Sequence, residues 1–287
     1  MKIKELTLKS PDYPERLRHI AMPPEQLYIL GPDVNELLAR PSVTVVGSRK
    51  VSAYGKTVTT QLTGELAKAG IVIISGLAFG VDSLAHQAAL DAGGLTIAVL
   101  PSGVTNIYPA THVGLARQIL QQGGALISEY PADQIAYKMT FVARNRIASG
   151  LGDALLITEA AEKSGTLHTA NFALEQGRPV LAVPGNITSP TSAGTNNLMK
   201  TGATPVTNVQ DVFQALGLEF TQNRREAPRS GNPNEQILLD LLFTGVDDGS
   251  ELLAKSELEI SIYNQTLTML EIRGHIRPLG NNRWALQ

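Results

Sequence analysis

The chain has 287 residues, 43% of them hydrophobic, a length that suits two domains and enough apolar material for a packed core. Its 24 Lys and Arg against 26 Asp and Glu leave a formal charge of −2, so no molecule-wide positive field draws it to duplex DNA or an acidic membrane, and any polyanion must be held by a local patch. The absence of cysteine excludes disulfide frameworks, thiolate zinc sites, thiol nucleophiles and cysteine-held iron–sulfur clusters together.

The N-terminal stretch MKIKELTLKSPDYPERL mixes charge with proline and lacks the apolar run of a secretion signal. No segment approaches the roughly eighteen continuous apolar residues of a membrane span, so a cytoplasmic protein is expected. Residues 1–41 read as an extended, Pro-rich lead-in that packs on a sheet domain. From 42 to 220 a short apolar run, a Gly- or Ser-containing turn and a helical stretch recur. The runs are Val43–Val46, Ile71–Ile74, Thr96–Leu100, Ala125–Ile127, Ala154–Ile157 and Val180–Val183, with a weak edge candidate at Thr204–Thr207. Short Val- and Ile-rich runs without alternation suit strands buried on both faces. Helices are expected over Tyr54–Ala69, Asp82–Ala92 and Thr166–Gln176. The alternation predicts an α/β fold, a Rossmann-like, doubly wound, mostly parallel sheet. Residues 221–232 read as a linker. Residues 233–287 read as a winged-helix domain, with helices over Glu235–Leu242, Ser250–Ala254 and Ser261–Arg273 and a hairpin turning at 280–282.

Ligands of such a sheet lie beyond the carboxyl ends of its strands. The turns there carry Gly47-Ser48-Arg49-Lys50, Ser75-Gly76 leading to Gly80, Pro101-Ser102-Gly103, Ser164-Gly165-Thr166 and Pro184-Gly185-Asn186. Glycine allows close backbone approach, and hydroxyls with free N–H groups bind anions, so the series predicts a phosphate-lined crevice. Gly55-Lys56-Thr57 is no Walker A loop, because Lys50 stands where its first glycine is required. Asp82, Ser83 and His86 share one helical turn and cannot converge as a catalytic triad. The five histidines (19, 86, 112, 168 and 275) make no metal-ligand spacing; no metal, cofactor or catalytic residue is expected. Between Asp133 and Asp153 no acid occurs, while Lys138, Arg144 and Arg146 do, with Tyr137 and Phe141 among them. Cations for a backbone beside an aromatic face for a base are the pattern of single-strand binding.

VVGSRK at 45–50, ISGLAFGVDSLAH at 74–86, LPSGVTNIYP at 100–109, FVARNRIASGL at 141–151 and EAAEKSGTLHTANFALEQGRPVLAVPGN at 159–186 closely resemble, in order, the bacterial DNA-processing protein A family, also called Smf. The resemblance implies a homodimer that is not an enzyme. It implies binding of single-stranded DNA without sequence preference, protection of incoming strands in transformation, and delivery to a RecA-type recombinase. It assigns DNA contacts to Gly47, Ser48 and Arg49, to Lys138 and Phe141, to an Arg-Asn-Arg helix start (Arg144, Asn145, Arg146), and to the turn of Ser164, Gly165 and Thr166; Lys50, a cation on the same sheet edge, is expected to join them. It places the dimer contact at the end of the sheet domain, where Val212, Phe213 and Leu216 would supply an apolar face, although residues at that helical spacing could equally be core. Ala110 departs from the family by following Tyr108-Pro109 where many members are basic. An alternative is a nucleotide-binding or nucleotide-hydrolysing enzyme of the lysine-decarboxylase-like phosphoribohydrolase type, whose motif requires a glutamate where this chain has Thr169.

Overall fold

The computed structural model describes residues 2–219, 230–280 and 282–286. They form two compact units, one up to residue 219 and one after it. Of the expected linker 221–232, residues 221–229 lie outside the described residues.

The first unit is built on a nine-stranded sheet with the order β1-β2-β6-β5-β4-β3-β7-β8-β9. The strands are β1 (Lys4–Thr7), β2 (Gln26–Leu30), β3 (Ser42–Val46), β4 (Val72–Ser75), β5 (Thr96–Val99), β6 (Ala125–Ser128), β7 (Ala154–Ile157), β8 (Val180–Ala182) and the edge strand β9 (Thr204–Pro205). From β6 to β9 every pairing is parallel. Each residue of β3 to β8 is buried, which is why these runs show no polar alternation. The connections run through α3 (Ala53–Lys68), α4 (Val81–Asp91), α5 (Val113–Gln121), α6 (Lys138–Leu151), α7 (Thr166–Glu175), α8 (Ala193–Lys200) and α9 (Val209–Ala215). The chain enters the parallel block at β3, moves outward through β4, β5 and β6, then returns to the other side of β3 for β7. That reversal opens a crevice above the carboxyl ends of β3 and β7.

The lead-in holds more regular structure than its prolines suggest. β1 pairs with β2, and β2 adds antiparallel to β6. The short helices α1 (Glu15–Arg18) and α2 (Val34–Leu38) complete it. Leu6, Leu27 and Ile29 enter the same core as Ile74, Val99 and Ile127. Their backbone groups need partners there; the open edge of β6 supplies those of β2, and β2 in turn those of β1. Arg16 locks the lead-in down. Its Nη1 donates to Ser42 Oγ and the Leu151 carbonyl, each at 2.7 Å, while Nη2 lies 3.0 Å from Asp153.

At the other end of the unit, of the two readings open for Val212, Phe213 and Leu216, the first two residues take the core one. Val212 and Phe213 are buried in the unit's own interior. Together with Val209 they form the core-facing stripe of α9, and only the half-buried Leu216 remains at the surface.

The second unit has α10 (Pro233–Phe243), α11 (Gly249–Ser256) and α12 (Ile260–Ile272), followed by the antiparallel pair β10 (Ile276–Gly280) and β11 (Arg283–Leu286). Leu238, Leu242, Leu252, Leu267, Leu270 and Ile276 form its core. Three helices and a terminal hairpin are the elements, in the order, expected from the sequence.

Candidate nucleic-acid interface

The turn after β3 organises the carboxyl edge. The Ser48 N–H donates to the Glu159 carbonyl at 2.8 Å, and the Ser48 carbonyl accepts the Val81 N–H at 3.1 Å. The Gly47 carbonyl accepts the Thr166 hydroxyl at 3.0 Å. One turn is thereby bonded to the segments that follow β4 and β7, and the Ser164–Thr166 turn meets the Gly47–Arg49 turn directly. Gly80 makes the approach possible: it has φ +81°, and a Cβ there would overlap the Ser48 carbonyl oxygen.

The second component is the N-terminal half of α6. The Tyr137 N–H donates to Thr140 Oγ1 at 3.1 Å and fixes the helix start. Spacings of three and seven place Lys138, Phe141 and Asn145 along one face. The Arg49 guanidinium carbon stands 5.0 Å from the centroid of the Phe141 ring, a cation–π contact. Tyr108 meets Phe141 edge-on at 5.3 Å. Arg49 and Lys138, 89 positions apart in sequence, therefore share one rim, joined through Phe141. Arg49, Lys50 and Lys138 are exposed, and none forms an ion pair among the described residues.

Arg144 and Arg146 have a different place from the one expected of them. They lie inside α6 rather than at its start, and both are buried, at 4% and 8% exposure. Arg144 Nη1 donates to the carbonyls of Gly76 and Val99 at the ends of neighbouring strands. Burial lowers its pKa to about 10, which still leaves a cation at neutral pH beneath the rim. Arg146 forms a bidentate pair with Glu129, at 2.9 and 2.6 Å, and donates to the Met22 carbonyl at 2.8 Å. Arg146 is thereby paired with an acid, whereas Arg144 is bonded to neutral oxygens. Asn145, between them, is half-buried and accepts a bond from Arg144 Nε at 3.3 Å.

The triad geometry is absent among these groups. The Asp82 carboxylate accepts the N–H groups of Gly76 and Ala78 and so ties down the turn in front of its own helix. Its pKa is raised by burial, against the pull of Arg144. The Ser83 hydroxyl donates to the Gly80 carbonyl at 3.0 Å. His86 is fully buried, with Nδ1 2.7 Å from Thr96 Oγ1, and burial pushes its pKa down to about 3.

The crevice between β3 and β7 is itself already filled by a carboxylate. Buried Glu159 accepts the Ser52 N–H at 2.9 Å and the Ser52 hydroxyl at 2.5 Å, which places its charge at the N-terminus of α3. In a mononucleotide-binding sheet a phosphate takes that position. Beside it lies a hollow of about 450 Å³ lined by Ser52, Tyr54, Asn186, Ser192 and their neighbours, with no charged side chain in its wall. Thr169 is buried. Among the described residues no three His, Asp or Glu side chains cluster as metal ligands, and no helix is long and apolar enough to cross a membrane.

The first unit is thus an α/β protein with a doubly wound sheet, whose switch-point phosphate position is self-occupied and whose exposed cations Arg49, Lys50 and Lys138 gather along the neighbouring rim. The sequence model of the DNA recombination-mediator protein A family matches residues 4–217, and the chain belongs to that family. It is 39% identical over 214 residues to DNA processing protein DprA of Bacillus subtilis, spanning 75% of this chain and 71% of that protein. It is 45% identical over 206 residues to protein Smf of Escherichia coli, spanning 71% of this chain and 54% of the other. The crystal structure of DNA processing protein A from Streptococcus pneumoniae superposes with a TM-score of 0.70 at 38% identity, covering 77% of this chain and 76% of that one. The corresponding protein of Helicobacter pylori, described for its single-stranded DNA binding mode, superposes at 0.67 with 33% identity and covers 75% and 96%.

Proposed function

We propose that this chain binds single-stranded DNA without sequence preference, through the rim formed by Gly47–Lys50, the Lys138/Phe141/Asn145 face of α6 and the Ser164–Thr166 turn. The observation that carries the reading is the meeting of Arg49 with Phe141, one helical turn from Lys138. Arg49, Lys50 and Lys138 neutralise phosphates, backbone N–H groups and hydroxyls of the turns bond their oxygens, and Phe141 stacks on an unpaired base. A duplex is excluded because its stacked bases present no free face to Phe141. Membership of the family supports the wider role: protection of incoming strands, delivery to a RecA-type recombinase in the cytoplasm, and action as a homodimer. Of the three residues expected at the dimer contact, Val212 and Phe213 are buried within the first unit and Leu216 is half-buried.

Binding rather than catalysis is favoured by the state of the edge carboxylates. Glu159 is held by Ser52, Asp82 is buried in its turn, and Thr169 stands where a hydrolase of nucleoside monophosphates needs an acid. The deciding experiment is fluorescence anisotropy of labelled oligo-dT, duplex and free nucleotide with the full chain and with Arg49→Ala and Lys138→Ala. Single strand is expected to bind tightest, and each variant to weaken it. Equal affinity of both variants and the unmodified protein overturns the reading, and release of free base from a nucleoside monophosphate overturns its non-enzymatic part.

A further inference from the structure

Phe79 lies outside the core: 48% of its surface is exposed, on a turn between β4 and α4 in which Leu77 is fully buried, as is Val81 at the start of α4. The turn that carries it is held from several sides. Leu77 adopts φ +57°, a left-handed conformation that an L-residue with a Cβ takes only where its surroundings hold it there. Two N–H groups of the turn bond the Asp82 carboxylate, and the Val81 N–H bonds Ser48. His112 Nδ1 lies 2.8 Å from the Leu77 carbonyl and, since a carbonyl only accepts, donates to it. The same imidazole packs against Phe79, with ring centroids 5.0 Å apart at 67°. An exposed aromatic ring is thus fixed in orientation by a rigid backbone and a bonded neighbour. Folding gains little from that arrangement, whereas a stacking partner gains much, because the ring has little freedom left to lose.

Its position says what stacks there. Gly80, next in the chain, runs so close to the backbone of Ser48 and Arg49 that a Cβ there would overlap both, and His112 follows Tyr108 by four residues. The backbone that carries Phe79 therefore lies against that of Arg49, whose guanidinium meets the Tyr108–Phe141 pair, and among the described residues no carboxylate forms an ion pair with that cation. A T-shaped contact with His112 occupies at most one face of the Phe79 ring. We infer that Phe79, propped by His112, is a second base-stacking platform beside Phe141, so that one unpaired strand lays two bases on aromatic rings with Arg49 serving the backbone between them. The inference rests on the single-strand reading above and adds a contact to it.

The test uses the full chain with four probes of equal length: fluorescein-labelled oligo-dT, an abasic strand, oligo-dT carrying one 5-iododeoxyuridine, and duplex. Phe79→Leu keeps the apolar volume and removes the π face. It is expected to weaken oligo-dT binding about 5- to 100-fold, while leaving the abasic strand and the salt slope unchanged. Phe79→Tyr is expected to restore affinity to within about two-fold, since it returns the ring. Irradiation of the iodinated strand should crosslink at Phe79, a readout that stands even if Phe79→Leu folds poorly. Unchanged oligo-dT affinity of Phe79→Leu with no crosslink at Phe79, alongside a weakened Arg49→Ala, overturns the platform and leaves the single-strand reading intact. If Arg49→Ala is also unchanged, the parent reading fails instead. A Phe79→Leu variant that alters only the sedimentation of the chain assigns the ring to protein contact and likewise overturns the proposal.

Discussion

Arg49 lies over Phe141, its guanidinium carbon 5.0 Å from the ring centroid, and this pair divides the proposed binding energy into two separable parts. A cation that releases a counterion on meeting a phosphate contributes to the salt dependence, and an aromatic ring that stacks on a base does not. Arg49→Ala should therefore flatten the slope of log affinity against log salt for oligo-dT by about 0.7. Phe141→Leu should weaken binding by about 1–3 kcal/mol and leave the slope where it was. Titrations at four salt concentrations with both variants are the check. Identical slopes for Arg49→Ala and the unmodified protein would remove Arg49 from the phosphate path.

Arg146 belongs to stability rather than to binding. It and Glu129 are both largely buried, at 10% and 14% side-chain exposure, and they satisfy one another with two bonds. Arg146→Ala leaves the Glu129 charge buried without its partner, a loss of about 3–5 kcal/mol. The double change Arg146→Met with Glu129→Gln should recover much of that. Urea midpoints of the three proteins measure it, and a folded Arg146→Ala with an unchanged midpoint but weakened oligo-dT binding would return Arg146 to the interface.

The different fates of the cations on α6 show how far the sequence reaches. Helical spacing alone separates Lys138, Phe141 and Asn145 from Arg144, which stands three and seven residues before the buried Ile147 and Leu151, on the apolar stripe. The signal for an inward Arg144 was thus present in the local sequence, though masked by the basic character of the segment. Arg146 gave no such sign, because Glu129 reaches it only through the packing of α6 against the end of β6. The parallel strands were legible because burial on both faces writes itself as runs of Val and Ile. β2 carries such a run, Leu27–Leu30, between Pro24 and Pro32. Its assignment depends on the edge of β6, about one hundred residues away in sequence, so the lead-in read as merely extended. Val209, Val212 and Phe213 show the converse case: a helical apolar stripe looks the same whether it meets its own core or a second subunit.

Glycine 80 and glycine 165 should behave oppositely on substitution. At Gly80 the backbone has φ +81°, and a Cβ would press on the Ser48 carbonyl, so Gly80→Ala should cost about 1–3 kcal/mol and disturb the Ser48–Arg49 turn. At Gly165, φ is −59° and no atom lies near the Cβ position, so Gly165→Ala should fold as the unmodified protein does. Thermal unfolding together with oligo-dT affinity tests the contrast. A Gly80→Ala protein unchanged in both would mean that the two turns are not braced against each other.

His86 should make the first unit sensitive to acid. Burial holds its pKa near 3 in the folded chain, against an ordinary value of 6.5 when unfolded. At pH 7 the ring is neutral in both states and contributes nothing to the pH dependence. As the pH falls through 6.5, the unfolded chain takes up a proton that the folded chain refuses, so stability drops by about 1.4 kcal/mol per pH unit until the folded pKa is reached. Asp82, raised by burial, acts with the opposite sign below its own folded pKa, which is why the comparison must be between a His86 variant and the unmodified chain. His86→Gln keeps an amide for Thr96 Oγ1 and does not titrate. From pH 6.5 to 4.5 the unmodified chain should lose about 2–3 kcal/mol more than His86→Gln in urea unfolding followed by circular dichroism. Parallel stability curves for the two proteins over that range would show that His86 takes up its proton as readily inside the fold as outside it.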